Sequence, residues 1–184
     1  MKQAPFLILL IILLVSCQQT SHKLRLAEEI IDNQPDSALK ILRKIDYKNE
    51  KSNDDKALYG ILMFKALDKN YQTLAPDSLI NFSIEYYQKE NDNEKLGEAL
   101  FFKGRMLNYA FKYENATKYY IESLDKLSDS RNYNLLAKVH SDIGDILTIQ
   151  GDYAKARNKY QKSYDFFLKI HKDKEALYKK IMSI

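Results

Sequence analysis

Two segments of this chain decide its fold, because they align with each other without a gap. "ALFFKGRMLNYAFKYENATKYYIESLDKL" spans Ala99–Leu127, and "VHSDIGDILTIQGDYAKARNKYQKSYDFF" spans Val139–Phe167. Identical pairs, each 40 residues apart, include Gly104/Gly144, Leu107/Leu147, Tyr113/Tyr153, Ala116/Ala156, Tyr120/Tyr160 and Ser123/Ser163. Repetition at a constant period is typical of repeat architectures, so the alignment predicts two copies of one structural unit.

Each unit is predicted to be a pair of helices joined by a short turn. Gly104 and Gly144 lie inside helical patterns, where glycine costs about 1 kcal/mol relative to alanine, so a partner helix is expected to pack too closely there for a side chain. Gly151 suits the left-handed conformation that ends a helix. Ala116 and Tyr120 then lie four residues apart, and Ser123 three further on, so all three share one face of a second helix.

These residues resemble the tetratricopeptide repeat, whose pattern is W-x₂-L-G-x₂-Y…A-x₃-F…P. The chain keeps the glycine, the Ala-x₃-Tyr spacing and the small residue that follows. It departs from the pattern at Leu100 and His140, which replace the tryptophan, at Lys103, and in lacking the final proline. The period of 40 rather than 34 makes the link near "SDSRNYN" longer. The resemblance implies an all-α, right-handed α-solenoid of stacked helix-turn-helix pairs.

Weaker copies precede the two good ones. "PDS" occurs at Pro35–Ser37 and again at Pro76–Ser78, where Asp or Ser is expected to cap a second helix. The corresponding first helices are predicted at 22–33 and 55–69, and "DYKNEKSNDD" at 46–55 is predicted to be a link. The solenoid is therefore expected over 22–184, with the best repeats at 97–130 and 137–170 and a short helix over 173–184.

The overall composition fits this architecture. The chain has 184 residues, 45% of them apolar, with only five Gly and three Pro, which favours helices with short connections. The net charge of +4 is spread along the chain, so it does not indicate nucleic-acid binding.

The N-terminus has the pattern of a targeting segment. Residues 6–15 are wholly apolar and follow Lys2, a length that suits a signal peptide better than a membrane span. The "LVSC" at 14–17 resembles the bacterial lipobox. That resemblance implies a lipoprotein signal peptide over 1–16, lipidation of Cys17 and a tether over 17–21.

Several acyl chains anchor a protein stably, so we expect a lipid-anchored protein of the cell envelope. By the same resemblance, Gln18 in place of aspartate favours the outer membrane. The sequence does not indicate which face of that membrane carries the protein.

No pattern of catalytic or metal-binding residues occurs. The chain has three His and one Cys, without H-E-x-x-H spacing, a phosphate-binding glycine loop or a G-x-S-x-G elbow. We therefore predict no enzyme, no metal and no cofactor.

The "DSA" and "DSL" beginning at Asp36 and Asp77 also resemble a bacterial O-glycosylation motif, and glycosylation of Ser37 or Ser78 remains the alternative to capping.

The resemblance also implies a binding groove lined by the first helices. Its usual positions fall on Phe101, Arg105, Asn108 and Tyr109 in one unit and on Lys138, Ser141, Asp145 and Thr148 in the next. Arg105 and Lys138 are suited to a carboxylate, and Phe101 and Tyr109 to an apolar side chain.

The resulting prediction is a non-catalytic, membrane-anchored adaptor that binds an unidentified protein or peptide. The alternative is the sensor-side piece of a longer signalling or transcription-regulatory protein. The final "KDKEALYKKIMSI" is read either as the start of a further first helix or as a capping helix.

Overall fold

The computed structural model describes residues 20–72, 76–171 and 173–183, excluding the side chains of 173, 174 and 176. The predicted signal peptide over 1–16 and Cys17 lie outside these residues. Apart from short links, the described chain is helical. Its helices are α1 over 20–30, α2 Pro35–Leu42, α3 Asn53–Lys69, α4 Asp77–Glu90, α5 Asn93–Tyr109, α6 Tyr113–Lys126, α7 Tyr133–Ile149, α8 Tyr153–Leu168 and α9 Asp173–Met182. This order confirms the prediction of successive helix pairs followed by a short helix.

The chain divides into two compact units, one up to Lys89 and one from Glu90 onward. The first unit has its own core, in which Leu24 of α1, Ile31 in the turn after α1 and Leu42 of α2 pack against Leu58 and Leu62 of α3. In the second unit α5 pairs with α6, α7 with α8, and α9 packs on α8. Both units are therefore built of stacked helix pairs, as a tetratricopeptide-like fold requires.

Glycine allows the paired helices to approach closely. A Cβ added to Gly104 would lie 2.5 Å from Cε1 of Tyr120, and one added to Gly144 would lie 2.7 Å from Cε1 of Tyr160. Both distances are shorter than any van der Waals contact between carbons. The prediction that a partner helix excludes a side chain at these two positions is confirmed.

The turn between the two helices uses a left-handed residue in three of the pairs, α3–α4, α5–α6 and α7–α8. Tyr71, Phe111 and Gly151 have φ of 53°, 57° and 79° at positions 40 residues apart. In the last turn the N–H of Asp152 donates to the carbonyl of Leu147 at 2.9 Å, the bond that closes a Schellman motif. The prediction for Gly151 is confirmed, and two aromatic residues adopt the same conformation despite its steric cost.

The predicted caps at the first "PDS" are wrong. Helix α2 begins at Pro35, and its N-cap, Gln34, makes no side-chain capping bond. Asp36 instead lies in the first turn and accepts a hydrogen bond from Lys40 at 2.6 Å. Proline is favoured at the first helical position because its missing N–H needs no partner there, so the helix begins before Asp36.

The helices are short relative to a bilayer. In the ranges that the structure describes, no helix combines the length and the apolar composition that a membrane span needs.

Candidate functional site

The predicted binding residues lie on α5 and α7, the first helices of the two pairs in the second unit. Helix α5 carries Phe101, Arg105, Asn108 and Tyr109, and α7 carries Lys138, Ser141, Asp145 and Thr148. The two helices contact each other directly. The fold therefore places both groups on neighbouring helices, and we call this surface the α5–α7 face.

A carboxylate that the sequence analysis did not single out joins three helices at this face. Asp142 of α7 accepts a hydrogen bond from the Tyr120 hydroxyl of α6 at 3.0 Å. The Nε of Arg105, on α5, lies 3.8 Å from the same Oδ2 atom. Because the Asp142 side chain is only 14% exposed, both contacts help to compensate for the loss of water around a charged group.

The environment of Tyr120 keeps its hydroxyl protonated. Burial raises the pKa of Tyr120 far above its ordinary range, and the negative charge of Asp142 raises it further, while Arg105 acts in the opposite direction. The phenol therefore remains a hydrogen-bond donor to Asp142. This interaction secures α6 against α7 beside the α5–α7 face.

Arg105 is held in a stack of aromatic rings. Its guanidinium carbon lies 5.7 Å from the centroid of the Phe101 ring and 5.4 Å from that of Tyr109, distances typical of cation–π contacts. Its Nη2 also donates to the Tyr109 hydroxyl at 2.6 Å. The side chain is 25% exposed, so a fixed guanidinium is presented in part to solvent.

The second pair repeats the tyrosine contact with different partners. The Tyr160 hydroxyl donates to Oδ1 of Asp145 at 2.8 Å and lies 3.1 Å from Oγ1 of Thr148. Burial, and after it the hydrogen bond to Asp145 and the charge of that residue, raise the pKa of Tyr160 to about 12, while the hydrogen bond with Thr148 acts in the opposite direction. Asp145 and Thr148, both predicted to contact a ligand, thus already hold the core tyrosine of their own pair.

The predicted residues differ in their accessibility. Phe101 and Ser141 are 1% and 7% exposed, so the structure places the Phe101 ring in the core and not on the surface where a partner's apolar side chain was expected to meet it. Tyr109 is 53% exposed, and Asn108 and Lys138 are half-buried. The accessible part of the face consists of Arg105, Asn108, Tyr109, Lys138, Asp145 and Thr148.

Asp142 was missed because the repeat alignment offers it no counterpart. The residue 40 positions earlier is Phe102, so comparison of the units does not mark the position as polar. Its neighbours in the sequence could have indicated its role, because Asp142 stands among Val139, His140, Ile143 and Gly144, all of which are buried. A charged residue inside such a run needs a partner.

The arrangement is suited to binding a partner. Across the described ranges, no group of three His, Cys, Asp or Glu side chains is placed to hold a metal ion. The face presents an ordered cation, an exposed aromatic ring and hydrogen-bonding groups, which are the side chains that dominate protein interfaces.

One comparison with known proteins supports this architecture. The family model described as the tetratricopeptide repeat matches residues 95–169, which hold the α5–α6 and α7–α8 pairs. No match was found among curated proteins or among solved structures. The matched residues lie in the second unit, the part of the chain that carries the α5–α7 face.

Proposed function

We propose that this chain, whose residues 95–169 match the tetratricopeptide repeat, is a non-catalytic scaffold that binds a protein or peptide through its α5–α7 face. Repeats of this kind imply a scaffold for protein–protein interaction. The observation that carries the proposal is the guanidinium of Arg105, held between two rings with a quarter of the side chain exposed. A side chain fixed before binding loses less conformational entropy when a partner arrives.

The chemistry of the face favours a partner segment with a carboxylate next to an apolar side chain. Arg105 and Lys138 supply positive charge on neighbouring helices, and Tyr109 supplies an exposed ring. Asp142 already lies near the Nε side of Arg105. A partner carboxylate is therefore expected to approach the exposed part of the Arg105 guanidinium and the ammonium of Lys138.

The proposal includes attachment to the membrane through Cys17. Its support is the sequence "LVSC" directly after the apolar run of residues 6–15. A lipidated Cys17 would hold the helical body at the surface of a cell-envelope membrane, with the outer membrane favoured by Gln18. The second unit would then bind its partner next to that membrane.

A photo-crosslinking experiment in cells tests the binding face. We would replace Tyr109 with a photoreactive phenylalanine analogue and, in a matched control, replace Ile121 of α6, since these side chains are 53% and 56% exposed. We expect a discrete adduct from position 109 and none of the same mass from position 121. The Arg105→Ala/Lys138→Ala double variant should reduce the adduct about tenfold or more, because both cations are lost.

Two results would contradict this assignment. An adduct of equal yield from both positions would show contact without preference for the α5–α7 face. The second is undiminished capture by the double variant when its helical circular dichroism matches that of the parent. That result would show that neither cation takes part in binding.

A further inference from the structure

The second unit contains a cleft that none of the predicted groove residues lines. It has a volume of about 470 Å³ and lies between the α6–α7 link, the first half of α7 and the end of α8. Its lining includes Ser128, Asp129, Ser130 and Arg131 of the link. These link residues therefore build part of the cleft wall.

Aromatic rings form the opposite wall. The Phe166 ring stacks with Tyr133 at a centroid distance of 5.9 Å and with His140 at 5.8 Å. The Nζ of Lys169 lies 4.9 Å from the Tyr133 centroid and 5.1 Å from that of Phe166. Tyr133 and Phe166 are half-buried. The cleft thus offers ring surface bordered by a cation.

Positive charge predominates around this cleft. Arg131 and Lys169 line it, and Lys159 and Lys162 are close enough to His140 to lower its pKa. In the part of the chain that the structure describes, none of these four cations has an ion pair. One carboxylate, that of Asp129, also lines the cleft, so the local charge remains positive.

The repeat itself does not require this charge. Lys159 and Lys162 share one face of α8 with Phe166, and Lys169 continues that face at the C-cap of the helix. Forty residues earlier the matching positions hold Tyr119 and Glu122 on α6 and Asp129 in the link after it. The basic face is therefore a property of α8 and not of the common helix-pair pattern, and a solvated face needs no such accumulation of one sign.

His140 adds an unexplained polar atom to the cleft wall. The side chain is 8% exposed, and its Nδ1 has no hydrogen-bond partner among the described residues. Burial, followed by the charges of Lys159 and Lys162, lowers the pKa of His140 to about 4, so the ring is neutral near pH 7. Buried polar atoms without a partner are uncommon in folded proteins.

We propose that this basic cleft binds an acidic peptide segment of a partner protein, with an aromatic side chain of that segment against Tyr133 and Phe166. Flanking carboxylates would pair with Arg131, Lys159, Lys162 and Lys169. The charge complementarity favours an anionic partner, and the recessed ring wall favours a side chain over a flat lipid surface. This second site is independent of the α5–α7 face.

Fluorescence anisotropy on the full chain in nonionic detergent tests the cleft. The probe is a labelled, end-capped heptapeptide with six acidic residues around a central phenylalanine, and a second probe carries alanine at the centre. We expect the Lys159→Gln/Lys162→Gln/Lys169→Gln variant to bind the first probe about tenfold more weakly than the parent. The matched control, Lys44→Gln/Lys48→Gln/Lys112→Gln, removes the same charge at exposed positions elsewhere and should bind as the parent does.

The ring contact has its own test. Tyr133→Ala and the alanine probe should each weaken binding several-fold, and combining them should weaken it no further than either change alone. Because the probe also places carboxylates beside an apolar side chain, the two triple variants are compared in an Arg105→Ala/Lys138→Ala background, where the remaining binding belongs to the cleft and not to the α5–α7 face.

Several outcomes would overturn the proposal. These are the absence of saturable binding, an equal loss in the two triple variants, or equal affinity for the phenylalanine and alanine probes. Tighter, lysine-dependent binding of a labelled oligothymidylate or of a short-chain phosphatidylglycerol would reassign the site to nucleic acid or to lipid.

Discussion

At the residue scale, serine hydroxyls join the two helices of a pair. Ser83, Ser123 and Ser163 each donate to a main-chain carbonyl 26 residues earlier, at 2.8, 2.7 and 2.7 Å. The sequence comparison predicted only that a small residue belongs at positions 123 and 163. The structure adds that the hydroxyl satisfies a buried hydrogen bond at the helix contact, and that Ser83 extends the arrangement to α3 and α4.

Also at this scale, His140 is expected to make the protein sensitive to acid. Its pKa falls from an ordinary 6.5 to about 4 in the folded state, so the unfolded chain binds a proton at a higher pH than the folded protein does. The neutral ring therefore makes its full contribution to the free energy of unfolding above pH 6.5. As the pH falls toward 4, the free energy of unfolding decreases by roughly 3 kcal/mol because this contribution is lost. His140→Leu, which copies Leu100 in the preceding pair, should remove this loss.

Urea unfolding at pH 7.5 and pH 4.5 measures the effect. The decrease in unfolding free energy between the two pH values should be smaller in His140→Leu than in the parent, because the other titrating groups are common to both proteins. A decrease of the same size in both would contradict the assignment.

At the element scale, side-chain caps set the start of the first helices. Ser52, Asp92 and Asn132 stand 40 residues apart, and each accepts a hydrogen bond from the main-chain N–H three residues later, at 3.2, 3.0 and 3.1 Å. The second helix α6 differs, because its N-cap, Lys112, makes no side-chain capping bond. The repeat thus includes a capping position that the aligned segments, which begin at Ala99 and Val139, did not cover.

This difference gives a matched pair of substitutions. Asp92→Ala should lower the free energy of unfolding by about 1 kcal/mol, because an N–H at the start of α5 loses its partner. Lys112→Ala at the equivalent position of α6 should change it by less than about 0.5 kcal/mol. Chemical denaturation followed by circular dichroism compares the two variants, and an equal effect would show that the cap contributes nothing.

At the scale of the whole molecule, the proposed membrane anchor lies outside the described helical body. Each of the two units is compact in itself, and the described helices and links of the first unit form a core of their own. Cys17 precedes the described residues. We therefore expect a change at Cys17 to alter location without altering the fold.

Cys17→Ala tests this expectation. The variant should leave the membrane fraction or remain unprocessed, and should fail to incorporate a labelled fatty acid, because no thiol is present to be acylated. Its helical circular dichroism should match that of the parent. Gln19→Ala, two residues away, serves as the control and should stay acylated. Acylated, membrane-bound Cys17→Ala protein would rule out this mode of anchoring.

The sequence by itself determined the helix pairs, because the 40-residue spacing of Gly, Ala, Tyr and Ser encodes which faces pack. It also predicted the left-handed turn at Gly151 and the helices on which candidate binding residues lie. Only the tertiary structure decided which of those side chains remain accessible. Phe101 is buried, Asp145 and Thr148 contact Tyr160, and Arg105 is stacked beside Asp142. These contacts join residues from different helices, and a repeat pattern does not specify where a unique residue such as Asp142 finds its partners.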